Sequence, residues 1–67
     1  MSTEQERIGM TSLTGMKEIC RYFRRSEATI LKLIRAEGFP AKKIGGQWES
    51  DKELIDQWRR KKISYEG

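Results

Sequence analysis

The stretch that most constrains this chain is SEATILKLIRAEGFP, residues 26–40. It carries a helix with both ends marked. Ser26 can accept a hydrogen bond from the free backbone N–H of Ala28 or Thr29, which makes it an N-cap. Ile30, Leu33, Ile34 and Glu37 then fall on one side at helical spacing, and the first three supply an apolar stripe. Gly38 suits the left-handed position that closes a helix. Pro40, two residues on, keeps the helix from resuming. At about 100° per residue, Ala28, Leu31, Lys32 and Arg35 share the opposite arc. Taken alone, such an arc reads as an ordinary solvated face.

The next residues change that balance. Ala41–Ile44 reads as a short strand, Gly45-Gly46 as a tight turn and Gln47–Glu49 as the return strand. Two glycines between short runs are a hairpin signal, because the favoured two-residue turns need positive φ. A helix followed by a small basic hairpin is the outline of a winged helix-turn-helix. The expected fold is therefore mainly α with a small β-hairpin: three helices plus a two-stranded wing.

The pieces Ser26-x-x-Thr29-Ile30, Glu37-Gly38-x-Pro40 and Lys43-x-Gly45-Gly46-x-Trp48, in this order, carry a resemblance. The chain resembles the small winged helix-turn-helix domains of the excisionase, AlpA-type and MerR-like group from about Thr14 to Arg60. The small subunits of phage DNA-packaging terminases share that fold and much of the pattern. The resemblance implies duplex DNA as the partner and no cofactor. It also implies a regulator or architectural factor of phages and integrated elements, excisionase-like or AlpA-like. The alternative it leaves is the DNA-recognition domain of a terminase small subunit. Those proteins usually carry a longer C-terminal assembly region, so the short chain favours the regulator or a partial protein. A third reading is a protein-interaction module whose basic face meets an acidic partner.

Composition agrees with a binding module. Sixty-seven residues make one domain, and a hydrophobic fraction of 36% allows a small core. The formal net charge is +4. Residues 1–12 hold Glu4, Glu6 and Arg7, a net of −1, so the remainder carries +5. That charge suits nucleic acid or an acidic membrane surface. One cysteine, Cys20, and no histidine exclude an intramolecular disulfide and a zinc site of Cys and His ligands. No apolar run approaches the roughly 20 residues of a membrane span. The expected location is a reducing bacterial cytosol, at the nucleoid, with no membrane partner. No nucleophile–base pair and no phosphate-binding glycine loop are present, so no enzyme activity is expected.

In chain order, residues 1–12 read as a flexible arm, 13–62 as the domain and 63–67 as a loose tail. Leu13–Phe23 reads as the first helix, with Gly15 as N-cap and Glu18 completing a capping box. Met16, Ile19, Cys20 and Phe23 form its stripe, Cys20 as a small core residue. Ser50-Asp51-Lys52-Glu53 reads as a capping box opening a third helix, with Leu54, Ile55 and Trp58 facing inward. Arg59–Lys62 would close that helix, where cations suit the negative end of its dipole.

The candidate DNA contacts follow. Arg24, Arg25 and Ser26, in the turn and at the helix start, would hold backbone phosphates. Ala28, Leu31, Lys32 and Arg35 would enter the major groove, with Ala28 and Leu31 against thymine methyls. Glu27 would accept from a cytosine amino group, or else stabilise the helix dipole. Lys42 and Lys43 alternate faces, so one of them points toward DNA. Gly45, Gly46 and Gln47 form a slim tip for a minor groove or a phosphate run. Ile44 and Trp48 are expected in the core. A second copy of the chain, an integrase or a large terminase subunit are further expected partners.

Overall fold

The computed structural model describes the backbone of residues 10–66 and the side chains of residues 10–64. Its elements run β1 (Ser12–Thr14), α1 (Met16–Phe23), α2 (Glu27–Glu37), β2 (Ala41–Ile44), β3 (Gln47–Asp51) and α3 (Lys52–Glu66). Among the described residues, the helices α1–α3 and the antiparallel sheet form the expected winged helix-turn-helix, with one strand more than the wing alone required.

The sheet order is β1-β3-β2. Ser12, Leu13 and Thr14 pair with Asp51, Ser50 and Glu49, and Ala41, Lys42, Lys43 and Ile44 pair with Ser50, Glu49, Trp48 and Gln47. Leu13 and Thr14 are thus strand residues and not the first turn of a helix. Ser12 belongs to the sheet and not to an arm. The residues of the expected arm before Met10 lie outside the described residues. Alternation explains the strand: Leu13 is buried while its neighbours Ser12 and Thr14 are not. Gly15 separates strand from helix. Its φ of 88° and ψ of 149° are open to glycine and costly for any residue with a Cβ. Its N–H donates to the Trp48 carbonyl at 2.7 Å, so the helix start is stitched to the central strand. Glu18 Oε1 accepts from the N–H of Thr14 at 2.8 Å, one residue earlier than a capping box requires.

At the other hairpin, Gly45 and Gly46 have φ of 60° and 83°, both positive as a type I′ turn demands. Ser26 caps α2, its Oγ accepting from the Thr29 N–H at 3.3 Å, and Gly38 closes that helix in the left-handed region. The cap of α3 is Asp51, not Ser50. Asp51 Oδ2 accepts from the N–H groups of Glu53 and Leu54 at 3.0 and 3.1 Å. Ser50 cannot serve because the sheet holds it between Leu13 and Ala41, and its hydroxyl donates to the Pro40 carbonyl at 2.6 Å. α3 runs to Glu66, so residues 63–66 are helical where a loose tail was expected.

Leu13, Ile19, Ile30, Phe39 and Ile55 form the buried core, with Cys20, Trp48 and Trp58 among the side chains packed against it. Phe23, Phe39 and Trp58 meet edge to face, with centroids 5.1–5.9 Å apart. Such pairs add about 0.5–1.5 kcal/mol each beyond area burial. The Trp58 indole N–H donates to the Glu37 carbonyl at 3.0 Å, and Lys62 pairs with the Glu37 carboxylate, fastening the end of α2 to α3. Two expected core residues are outside. Ile44 is 63% exposed and Leu54 51% exposed. Ile44 ends β2 beside the turn, on the sheet face opposite Leu13 and Trp48, and α3 rotates Leu54 away once Asp51 starts the helix.

Candidate nucleic-acid interface

α2 presents its two arcs as the apolar spacing requires. Ile30 is fully buried and Leu33 and Ile34 pack against the core, so the helix is held by that stripe. Glu27, Ala28, Lys32 and Arg35 are exposed on the other side, and Leu31 is half-buried at its edge. The arc therefore has cations at its C-terminal half and a small residue near its start. Ser26 is exposed, but its hydroxyl is engaged with Thr29, donating to Oγ1 at 3.1 Å. Its free contribution to an anion is thus mainly the helix N-terminus behind it.

Arg24 and Arg25 are exposed in the turn between α1 and α2. Arg24 adopts the left-handed region, with φ 58° and ψ 48°, and its N–H closes α1 on the Cys20 carbonyl. This is the one positive φ outside glycine among the described residues. Arg25 lies over the Phe23 ring, its guanidinium carbon 5.6 Å from the centroid, and Nη1 donates to the Arg24 carbonyl at 2.9 Å. The fork is held in place rather than waving in solvent.

The wing sorts its two lysines onto opposite faces. Lys43 lies opposite Trp48 on the core-side face, its ammonium 5.9 Å from the indole centroid. Lys42 lies on the outer face opposite Glu49. Both are exposed, as are Gly46 and Gln47. Gln47 departs from the tip: its Nε2 lies 3.8 Å from where a Cβ on Gly15 would sit, so the side chain reaches back over the start of α1. An open groove of about 770 Å³ runs between α2, the wing and α3. Ile34, Lys42, Lys43, Ile44, Trp48 and Leu54 are among the residues lining it. Ile34 is the one α2 residue that reaches this groove, and the exposed Ile44 and Leu54 both line it.

Cys20 packs as expected. Burial, helped by the nearby Glu27 carboxylate, pushes its thiol pKa up, so it is a poor nucleophile at neutral pH. Tyr22 donates to Asp56 Oδ1 at 2.9 Å. That hydrogen bond, with burial and the Asp56 and Asp51 charges behind it, holds the phenol pKa above its ordinary value.

One residue outside the expected set shares the region of the turn. Arg59 of α3 lines a depression together with Arg24 and Arg25. Trp58 packs on Phe23, and the residue after each, Arg59 and Arg24, flanks the same spot. The run Arg59–Lys62 hides this in the sequence, because nothing in four consecutive cations singles out the first. Among the described residues no helix is long and apolar enough to cross a membrane, and no cluster of His, Cys, Asp and Glu could hold a metal.

The family model of the helix-turn-helix domain matches residues 15–63, well over half of the chain. The match runs from the glycine that opens α1 to within α3. No curated protein and no solved structure matches the chain.

Proposed function

Since the chain belongs to the helix-turn-helix domain family, which supports sequence-specific DNA binding, we propose that it is a regulator of phage or mobile-element type acting on duplex DNA. The observation that carries this reading is the exposed arc of α2, Ala28–Lys32–Arg35, beside a basic wing and a turn bearing two arginines. In this reading α2 lies in a major groove. Lys32 and Arg35 donate to guanine edges or flanking phosphates, Ala28 and Leu31 meet thymine methyls, and Glu27 accepts from a cytosine amino group. Arg24, Arg25 and the N-terminus of α2 beside Ser26 hold the backbone. One lysine of the wing, Lys42 or Lys43, and the slim tip at Gly46 reach the neighbouring minor groove or its phosphates, while Gln47 contributes only if its amide swings away from Gly15.

Most of the affinity then comes from phosphate neutralisation. With about five or six contacts, log K falls with log salt at a slope of about −4.5 to −5.5. A domain this small offers few base contacts, so a monomer binds weakly and copies bind adjacent sites cooperatively. The role that fits is an excisionase-like or AlpA-like factor in the bacterial cytosol, working beside an integrase. The packaging role, beside a large terminase subunit, uses the same surface. Chemical-shift mapping with an operator-like duplex tests the reading. Perturbed amides should cluster on residues 24–35 and the wing; perturbation confined to other surfaces refutes it.

A further inference from the structure

We propose that Arg59 joins Arg24 and Arg25 in seating one phosphate of the DNA backbone, so that the duplex footprint extends from the α1–α2 turn onto α3. The inference rests on the DNA-binding reading above and adds a contact to it.

The seat is a depression of about 390 Å³ walled by Tyr22, Phe23, Arg24, Arg25, Asp56 and Arg59. Three guanidiniums against one carboxylate leave it with a charge of +2. Among the described residues, none of the three guanidiniums has a carboxylate within 4 Å. Asp56 is occupied: it accepts the Tyr22 hydroxyl at 2.9 Å. Arg25 is fixed at the rim by the Phe23 ring and by the Arg24 carbonyl. Unpaired like charges gathered at one spot repel one another, and an anion between them relieves that repulsion. Guanidinium forks match the oxygens of a phosphate, and a planar donor pair is directional where an ammonium is not.

Helix polarity does not account for Arg59. α3 continues to Glu66, and its last turn holds no basic residue, so the cations at 59–62 sit before the negative end of the dipole. The location argues for a polymer backbone. The seat adjoins the turn that leads into α2, and the groove-reading arc begins within the next few residues. A strand crossing the α2 N-terminus would pass over it.

The test uses the full chain and a fluorescent duplex, titrated between about 50 and 200 mM salt. Arg59→Gln is compared with Arg60→Gln, whose side chain is exposed and does not line the depression. A whole phosphate contact is worth about 0.9 in slope, and Arg59 holds a share of one, so Arg59→Gln should make the slope shallower by a measurable part of that. The advantage of the wild-type chain over Arg59→Gln should therefore shrink across that range, by at most about 3.5-fold. Arg60→Gln should keep the wild-type slope. A scan with single neutral methylphosphonate linkages then locates the contact. One linkage should weaken the wild-type chain more than it weakens Arg59→Gln, which keeps Arg24 and Arg25 on that phosphate. If the wild-type chain binds with its salt dependence while Arg59→Gln keeps both slope and methylphosphonate pattern, the phosphate seat is overturned and the DNA reading stands. If the wild-type chain binds no duplex at the lowest salt, the reading falls and takes the seat with it. Thermal melts of both variants, expected to match wild type, confirm that folding is not the cause of a loss.

Discussion

Arg24 offers a test in which stability and binding should move in opposite directions. Its left-handed backbone, φ 58° and ψ 48°, crowds Cβ against the following carbonyl. For a residue with a side chain this costs about 1–2 kcal/mol. Replacement by glycine removes the clash but adds freedom to the unfolded chain, worth about 0.4–1 kcal/mol. The net gain lies between about 0 and 1.6 kcal/mol, centred near about 0.8 kcal/mol. Nothing folded is lost against it: among the described residues Arg24 has no ion-pair partner, and the carbonyl that Arg25 uses is retained. In a domain of this size 1 kcal/mol moves Tm by about 4–8 °C, so Arg24→Gly should melt about 2–8 °C higher by far-UV circular dichroism. Its DNA binding should weaken, with a salt slope shallower by a part of the about 0.9 that one whole phosphate contact carries. Arg24→Ala separates the causes. It removes the same charge but keeps Cβ, so its slope should match that of the glycine variant while its Tm stays near wild type. If Arg24→Gly melts at or below the wild-type temperature, or if Arg24→Ala gains as much, the backbone argument is wrong.

Asp51→Ala should cost about 1–2 kcal/mol and shorten the start of α3, measured by urea denaturation and amide exchange at Glu53 and Leu54; an unchanged midpoint would mean that the carboxylate is not the cap. Ile30→Val, at a fully buried site, should cost about 0.5–1.5 kcal/mol, whereas Ile44→Val, at 63% exposure, should stay within about 0.5 kcal/mol. The Cys20 thiol should react with a disulfide reagent more slowly than a free cysteine at mildly alkaline pH, and Glu27→Gln should speed it by removing one cause of the raised pKa. The same shift has a stability sign. The folded state keeps its proton to higher pH than the unfolded chain, so Cys20 stabilises fully below the unfolded thiol pKa. That contribution is lost as pH rises through the folded value, and Cys20→Ser should flatten the alkaline decline.

How much of this was legible in the sequence depended on the range of the interaction. Ser26, Gly38 and the Gly45-Gly46 pair act within a few residues, and each does in the fold what local chemistry assigned it. The stripe Ile30, Leu33, Ile34 also held, because helical periodicity is read over one short segment. β1 was not legible. Three residues are too few to show alternation, and Leu13 fits the helical spacing of Met16 and Cys20 as well as it fits a strand. Only its pairing with residues far along the chain decides the matter. The shift of the α3 cap from Ser50 to Asp51 has the same origin, since β1 and β2 together hold Ser50 in the sheet. For the interface, the arc of α2 was readable from periodicity. The neighbourhood of Arg59 was not, because it follows from how Trp58 lands on Phe23.

The central position of β3 also orders events in time. Its hairpin with β2 closes over a two-residue turn, while β1 waits for a partner that lies 35 to 39 positions later in the chain. Bringing such distant segments together costs entropy before any bond repays it. During synthesis the opening strand must therefore stay unzipped until the closing one has left the ribosome, and the molecule is finished from its middle outward.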